Sequence, residues 1–443
     1  MPFIPNTPAQ QREMLAEIGL TAEALFADIP PELRSGPLRL PEGLSEQQVC
    51  THMAALAGRN ATRLTSFLGG GFYDHSIPAA VDALVGRSEF YTAYTPYQPE
   101  ISQGTLQAMY EYQSSLCRLT GMEVANASLY DGGTALYEAI TMALRITGRN
   151  QVIVDEAVNP IHRKMIRSYT GNLGIELAEA APRGGRADRD AIRTHLSDKT
   201  AAIVVQNPNF FGSIEDYTGL GELAHQHGAL LIVAFYPISL GLLKTPGAMG
   251  ADIATAEGQS LGLGMSFGGP YLGIMATRMQ YVRKMPGRLA GRTVDTQGRD
   301  GFVLTLQARE QHIRREKATS NICTNQNLCA LTALAYLSLL GKGGLRQVAQ
   351  LCADKAYYAQ KRLLEIDGVR LRFPNLWYFN EFVLELPARA DRVIRRLLEK
   401  DLAAGFPLDR YYAGMENSLL VAVTERRTKQ EIDYFVHSLE VCL

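Results

Sequence analysis

Four polar segments lie between apolar elements, and they carry the side chains with which this sequence could do chemistry. Residues 68–78 (LGGGFYDHSIP) contain three consecutive glycines, which permit a positive φ and a close backbone approach to a ligand, although a flexible turn is equally consistent. Residues 90–104 (FYTAYTPYQPEISQG) hold three tyrosines, two glutamines and a glutamate on a backbone stiffened by two prolines. Aromatic faces beside hydrogen-bonding groups are typical of a small-ligand pocket, but a packed structural loop would look the same.

The other two segments each precede a predicted helix. In residues 128–140 (SLYDGGTALYEAI) a strand runs into a helix start, where free backbone N–H groups suit a phosphate or a carboxylate. A simple cap by Asp131 or Thr134 is the favoured alternative, because the Asp131 carboxylate would repel an anion. In residues 315–326 (REKATSNICTNQ), Thr324 or Asn325 is predicted to cap the next helix. The remaining polar residues exceed what a cap needs and indicate a loop that faces a ligand or a partner.

Composition argues against several classes of protein. The 44 basic and 45 acidic residues leave a net charge of -1, so no nucleic-acid partner is expected. No uninterrupted apolar run has the length of a membrane span, and the first residues lack the apolar stretch of a signal peptide. We therefore expect a cytoplasmic protein that does not associate with a membrane. The six cysteines are scattered, and His225 and His227 would point to different helix faces, so neither a disulfide framework nor a metal site is expected.

The elements that would position these segments follow a regular order. From about residue 104 to residue 276, helical patterns alternate with short apolar strands such as QVIVDEA, TAAIVVQ and ALLIVAF. This alternation predicts a largely parallel sheet that is covered on both faces. We expect a helical N-terminal arm at residues 1–60, a large α/β domain at 61–325 and a small α+β domain at 326–443.

Together the segments resemble the glycine cleavage system P-protein family. The resemblance is carried by YTPYQPEISQG, GMEVANASLYDGGTALYEA, VVQNPNFFGSIED, PGAMGADIATAEGQSLGLGMSFGGPYLG and REKATSNICTNQNL, and it covers roughly residues 1–443. The length is similar to that of the separate α subunit (subunit 1) of the two-subunit form. The resemblance implies the aspartate-aminotransferase-like α/β fold of type I pyridoxal phosphate enzymes, with a mostly parallel central sheet. It also implies an aminomethyl-transferring, decarboxylating glycine dehydrogenase that works as a heteromer.

The family's reaction requires groups that this sequence lacks. Glycine forms an imine with pyridoxal phosphate and loses carbon dioxide, and its aminomethyl group passes to the lipoyl arm of the H-protein; T-protein and L-protein complete the system. Such chemistry needs a Schiff-base lysine and an acid beside the pyridine nitrogen. Here Gln259 and Ser260 stand where the family's histidine and lysine would be, and no acidic residue lies between Leu230 and Met249. The resemblance therefore implies no catalytic residue on this chain alone, and a cofactor held covalently by a lysine-bearing partner, P-protein subunit 2.

The resemblance also implies two groups of site residues. Those expected to line the partner's glycine and cofactor pocket are Tyr94, Thr95, Tyr97, Gln98, Glu100, Ser102, Gln103 and Asn321, with Tyr73 and His75 close by. A vestigial cofactor pocket is expected at Asp131, Gly132, Gly133, Thr134, Gln259 and Ser260. Two other functions stay open: a structural or regulatory scaffold subunit, and a self-sufficient pyridoxal phosphate enzyme that uses Lys244 or Lys317.

Overall fold

The first of two compact units in the chain is a short helical segment. The computed structural model describes residues 6–36, 39–92 and 94–443, and it divides into Met1–Thr62 and Arg63–Leu443. Residues 1–5, 37 and 38 of the expected arm lie outside the described part, as does residue 93 of segment 90–104. The first unit contains helices α1 (Pro8–Glu17) and α2 (Glu46–Ala57), and each begins with a capping box. None of its described residues is buried.

The second unit contains the other regular elements of the described chain. Its helices are α3 (Ala79–Val85), α4 (Ser88–Tyr91), α5 (Gln103–Thr120), α6 (Gly132–Thr147), α7 (Pro160–Thr170), α8 (Arg189–His195), α9 (Leu220–Gln226), α10 (Gln311–Arg314), α11 (Asn327–Leu363), α12 (Ala390–Leu398) and α13 (Lys429–Cys442). Its strands are β1 (Thr65–Ser66), β2 (Val124–Ala125), β3 (Gln151–Asp155), β4 (Glu176–Ala180), β5 (Thr200–Asn207), β6 (Leu230–Phe235), β7 (Ile253–Glu257), β8 (Gly273–Thr277), β9 (Leu289–Val294), β10 (Asp300–Thr305), β11 (Arg370–Leu371), β12 (Glu381–Glu385), β13 (Leu402–Ala403), β14 (Phe406–Pro407) and β15 (Ser418–Ala422).

A seven-stranded sheet forms the centre of this unit, in the order β2-β8-β7-β6-β5-β3-β4. The strands from β7 to β4 are parallel, whereas β8 is antiparallel to both β7 and β2. The central strands are buried because they are apolar on both faces: Ile203 packs into one core, and its neighbours Ala202 and Val204 pack into the opposite one. The expected α/β class with a mostly parallel sheet is confirmed.

A smaller antiparallel sheet, in the order β11-β12-β15-β14, lies near the C-terminus. Its core contains Phe382, Leu419 and, from α13, Phe435. A separate antiparallel hairpin joins β9 to β10, and both of its strands contact α5. This hairpin connects the central sheet to the polar segment 315–326.

Within the described chain, α11 alone is long and apolar enough, by length and composition, to cross a membrane. It packs instead as a core helix, since Ala333 and Tyr336 have no exposed surface and the helix lies against α5. The left-handed φ of 58° at Gly341 kinks it.

The carboxyl ends of the parallel strands lie at one edge of the central sheet. β3 ends at Asp155, β5 at Asn207, β6 at Phe235 and β7 at Glu257. Open α/β sheets bind their ligands at this edge. The start of α6 reaches the same edge, because the Gly132 amide donates a hydrogen bond to Glu257.

Candidate functional site

A buried arginine brings together two of the four polar segments. Arg288, which immediately precedes β9, is only 1% exposed. Its guanidinium donates hydrogen bonds to the Tyr97 hydroxyl at 2.8 Å, to Cys323 Sγ at 2.7 Å and to the buried Glu310 carboxylate at 2.7 Å. The Arg288 guanidinium also lies 4.9 Å from the centre of the Tyr97 ring. Segments 90–104 and 315–326 are therefore held against one another by hydrogen bonds to one guanidinium group, although 191 residues separate Arg288 from Tyr97.

A second contact joins the same segments through hydroxyl groups. Thr95 Oγ1 hydrogen-bonds Thr324 Oγ1, and the Thr324 backbone carbonyl accepts a bond from Ser128 at 3.1 Å. The Asn325 amide donates to the Ser128 carbonyl at 3.0 Å. The predicted capping role of Thr324 or Asn325 is wrong: Gln326 occupies the cap position of α11, without a side-chain capping bond. Both side chains bond to distant segments instead.

Gln103 fixes the end of segment 90–104 to the hairpin. Its side-chain amide donates to the carbonyls of Pro99 and Phe302 at 2.7 and 2.9 Å, and its oxygen accepts from the Phe302 amide at 2.8 Å. Because these bonds use both its donor and its acceptor within the chain, Gln103 positions the segment.

Other residues predicted to line a partner's pocket face outward. Tyr94 is 71% exposed, Tyr97 54% and the neighbouring Ile101 77%. Gln98 and Glu100 are exposed as well, and Ser102 is half-buried at the start of α5. Contiguous exposed aromatic and aliphatic side chains on a fixed backbone are typical of a surface that another molecule covers.

Asn321 lies at a different place from these tyrosines. It is exposed and lines a cavity of about 500 Å³ together with Tyr130, Glu138 and Arg145. Two guanidinium nitrogens of Arg145 are buried there without a hydrogen-bond partner. The structure thus brings Tyr97 and Thr95 to the Arg288 cluster and places Asn321 in a neighbouring polar cavity.

A separate pocket lies at the carboxyl edge of the central sheet, and of the six residues expected to form a vestigial cofactor pocket, Gly132 alone lines it. It is lined by Gly71, Tyr73, Gly132, Asn159, His162, Gln206, Pro208, Ala234, Phe235, Tyr236, Thr255, Ala256, Glu257, Asn380 and Glu381. Its free volume is about 40 Å³, whereas pockets for small molecules generally have about 300 to 1,000 Å³. Burial lowers the pKa of His162 to about 4, so its imidazole is neutral.

Gln259 and Ser260, which are expected at the family's histidine and lysine positions, are both buried. Gln259 binds the backbone of Tyr73 twice, accepting from its amide at 2.9 Å and donating to its carbonyl at 3.0 Å. Ser260 is 2% exposed, and its hydroxyl has no partner. Neither Lys317 nor Lys244, which pairs with Asp216, is among the residues that line the pocket.

The start of α6 is occupied by carboxylates of the chain itself. Asp131 accepts from the Thr134 amide at 2.8 Å and is the N-cap, as the sequence favours. Glu257 accepts from the Gly132 amide at 2.9 Å, and burial raises the pKa of Glu257 to about 7. A Cβ on Gly133 would collide with Met165, so the two glycines permit close packing of the helix start.

The three-glycine turn also packs against a buried carboxylate of this pocket. The Gly70 amide and the Tyr73 hydroxyl donate to Glu381 at 2.6 and 2.7 Å. A Cβ on Gly69 would collide with that carboxylate, and Gly70 has a φ of +76°, so the turn requires glycine. Burial raises the pKa of Glu381 to about 7. Tyr73 therefore belongs to the chain's own pocket, and its hydrogen bonds do not reach segment 90–104.

Pyridoxal phosphate does not fit this pocket. Ser260 offers no amine, β6 ends in Phe235 without an acid, and the Glu257 carboxylate fills the place at the start of α6 that suits a phosphate. The free volume of about 40 Å³ leaves room only for water.

Four charged residues of these sites are absent from the sequence-based expectations. Arg288 and Glu310 form the buried ion pair, and Glu257 and Glu381 are the pocket's buried carboxylates. Glu257 is the last residue of the apolar strand β7, and Glu381 is the first residue of the apolar strand β12. This is a signal in the sequence, since an acid within a buried apolar run needs a nearby hydrogen-bond donor. Arg288 has no comparable local signal.

Known proteins resemble this chain over its whole length. The sequence profile of the family described as glycine cleavage system P-protein matches residues 1–439. The probable glycine dehydrogenase (decarboxylating) subunit 1 of Geotalea uraniireducens (strain Rf4) is 58% identical and covers 100% of both chains. The protein of the same name from Maridesulfovibrio salexigens is 55% identical over 99% of both.

Solved structures extend this similarity to the fold. A crystal structure of glycine decarboxylase (P-protein) of the glycine cleavage system, in inhibitor-bound form, has a TM-score of 0.94 and 46% identity, with 100% of both chains covered. An alanine–glyoxylate aminotransferase from Nostoc sp. has a TM-score of 0.60 at 19% identity, covering 93% of this chain and 98% of its own. The second likeness supports the type I fold alone.

Proposed function

Because this chain belongs to the glycine cleavage system P-protein family, we propose that it is the subunit of glycine dehydrogenase (decarboxylating) that carries no cofactor anchor. It completes the active site of a lysine-bearing partner of the same fold, P-protein subunit 2. In the paired enzyme, glycine loses its carboxyl group and the aminomethyl group passes to the lipoylated H-protein, in the cytoplasm. Pyridoxal phosphate, bound covalently by the partner, supplies the electron sink for the decarboxylation.

The observation that carries the proposal is the state of the chain's own pocket. Its free volume is about 40 Å³ and its helix start is already bound to Glu257. The resemblance places the Schiff-base position at Ser260, which has no amine. A chain of this fold that cannot hold the cofactor can still take part in the reaction by contributing groups to another subunit's site.

The Arg288 cluster supports segments 90–104 and 315–326 as the contributed groups. Tyr94 and Tyr97 present exposed faces, and the Arg288 bonds hold Tyr97 in place before any partner binds. Preorganised side chains lose less conformational freedom on binding than mobile ones. We assign Tyr94, Tyr97, Gln98 and Glu100 to the surface that meets the partner's site, and Thr95, Ser102 and Gln103 to positioning; Asn321 marks the edge of the contributed surface.

Reconstitution with the lysine-bearing subunit tests the proposal. Glycine–bicarbonate exchange should require both subunits, and Tyr97→Ala or Gln103→Ala should reduce it by orders of magnitude. Tyr357→Ala is the matched control, because Tyr357 is 70% exposed and lies on α11 in neither segment. Exchange by this chain alone, with a borohydride-reducible cofactor adduct, would favour the self-sufficient enzyme. Wild-type rates from both segment variants would favour the scaffold.

A further inference from the structure

The carboxylate of Glu257 is bound as an external anion would be. It accepts hydrogen bonds from three backbone amides: Gly132 to Oε2 at 2.9 Å, Gln259 to Oε1 at 3.0 Å and Leu272 to Oε1 at 3.2 Å. The Gly132 amide belongs to the start of the 16-residue helix α6, and the Gln259 and Leu272 amides approach the same carboxylate from outside that helix. Three convergent backbone N–H groups form an anion receptor, to which the helix dipole adds. The receptor is complete, and a side chain of the same chain fills it.

Two further side chains point to a ligand-binding origin for this pocket. Thr255 and Asn380 line it and are 1% and 2% exposed. The Thr255 hydroxyl and the Asn380 amide nitrogen are buried without any hydrogen-bond partner. Buried polar atoms are rarely left unpaired, because desolvation makes them costly. These two atoms offer hydrogen bonds that Glu257 does not use.

The backbone geometry makes room for the carboxylate. A Cβ on Gly132 would lie 2.8 Å from the Glu257 Cβ and 2.9 Å from the Glu257 backbone nitrogen, so only glycine permits this approach of α6 to β7. The Asp131 carboxylate caps the same helix start. A second anion would therefore meet the Asp131 carboxylate in addition to an occupied receptor.

We propose that Glu257 is an internal substitute for a phosphate group: it occupies a preserved phosphate receptor, excludes phosphate-bearing ligands from this chain, and leaves a phosphate site when its carboxylate is removed. The proposal is independent of the pairing proposed above, since it concerns binding by the isolated chain. The chemical class excluded is a phosphate monoester or inorganic phosphate.

Thermal unfolding of the isolated full-length chain with inorganic phosphate tests the proposal. At about 20 mM, phosphate should raise the Tm of Glu257→Ala by about 2 to 5 °C relative to chloride at equal ionic strength. Acetate, which restores the lost carboxylate, should act in the same direction. Wild type and Glu257→Gln should shift by less than about 1 °C, because in both the side chain still fills the receptor. Equilibrium dialysis with pyridoxal phosphate should show no retention by wild type, whose receptor is occupied.

Three results would overturn the proposal. In the first, phosphate raises the Tm of wild type as much as that of Glu257→Ala. In the second, wild type retains pyridoxal phosphate. In the third, Glu257→Ala folds but its Tm does not respond to phosphate. If Glu257→Ala does not fold, Glu257→Ser takes its place, and refolding yield becomes the readout. A refolding yield that rises with phosphate supports the receptor, and a refolding yield that does not change with phosphate contradicts it.

Discussion

Replacement of Arg288 by methionine tests whether the buried Arg288 guanidinium, which Glu310 pairs, holds the two segments together. Arg288 is 1% exposed, and its partner Glu310 is 6% exposed. Methionine fills a comparable volume but leaves the Glu310 carboxylate buried without its cation. Removing one member of a buried ion pair costs about 3 to 5 kcal/mol, so the free energy of unfolding should fall by about that amount. The Tyr97 hydroxyl loses its donor in the same variant.

A double-mutant cycle separates the ion pair from the other effects. Glu310→Met in addition to Arg288→Met leaves no uncompensated charge, so the double variant should be more stable than Arg288→Met alone by about 2 kcal/mol or more. Urea unfolding of the isolated chain measures these differences. Exchange activity of the reconstituted pair should stay low in the double variant, because Tyr97 remains without its hydrogen-bond donor. In the double variant, stability should therefore recover in part while exchange activity does not.

An exposed ion pair of the same hairpin provides the control. Arg292 pairs with Asp300 at 2.6 Å, and both side chains are 59% exposed. Arg292→Met should cost less than about 1 kcal/mol, because solvent screens surface pairs. The reasoning is refuted if Arg288→Met costs no more than Arg292→Met, or if the effects of Arg288→Met and Glu310→Met are additive.

Two further predictions concern the chain's own pocket. Gly132→Ala should lower the free energy of unfolding by about 1 to 3 kcal/mol, because its Cβ would lie 2.8 Å from that of Glu257. Gly343→Ala in α11 is the control: its Cβ meets nothing within 4 Å, so the change should be neutral or stabilising. Thermal unfolding of the two variants measures the difference. Glu381 has a pKa of about 7 in the folded chain, against an ordinary value of 4.5. Between these pH values only the folded chain keeps the proton, so the free energy of unfolding should fall as pH rises. At 1.36 kcal/mol per pKa unit, the fall is about 3 kcal/mol. Glu381→Gln, which cannot ionise, should make that part of a measured stability–pH curve less steep, while Glu257, whose pKa is also about 7, still titrates there. An unchanged slope would contradict the assignment.

The fold was predictable because its signal is local. Strands such as Leu230–Phe235 are uniformly apolar and separated by helix-length segments, which suffices for a covered parallel sheet. The strand predicted to run into the start of α6 is reduced to Val124–Ala125, because the polar side chains that follow bond outside the sheet. Asn126 donates to the Pro286 carbonyl, and Ser128 donates to that of Thr324. Local pattern could not reveal those distant acceptors.

The site was only partly predictable, because its contacts join residues that are distant in the sequence. The polar density of segments 90–104 and 315–326 is visible in the sequence, but their common partner Arg288 lies in neither of them. Thr324 has the right type and place for a helix cap, yet a hydroxyl 229 residues away binds it. Long-range partners outcompete a local cap wherever burial makes an unpaired group costly.

The fixed position of Tyr97 provides a way to separate catalytic contribution from scaffolding. Its hydroxyl bonds to Arg288 inside the chain, while 54% of the side chain remains exposed for a partner. A ring that serves only as an interface anchor affects how many pairs form, so the loss in Tyr97→Ala would vanish once excess subunit drives assembly to completion. A ring that lines the reacting pocket affects each assembled pair, so its loss would persist at saturating subunit concentration as a lower kcat. Exchange rates measured against subunit concentration therefore decide between the two roles.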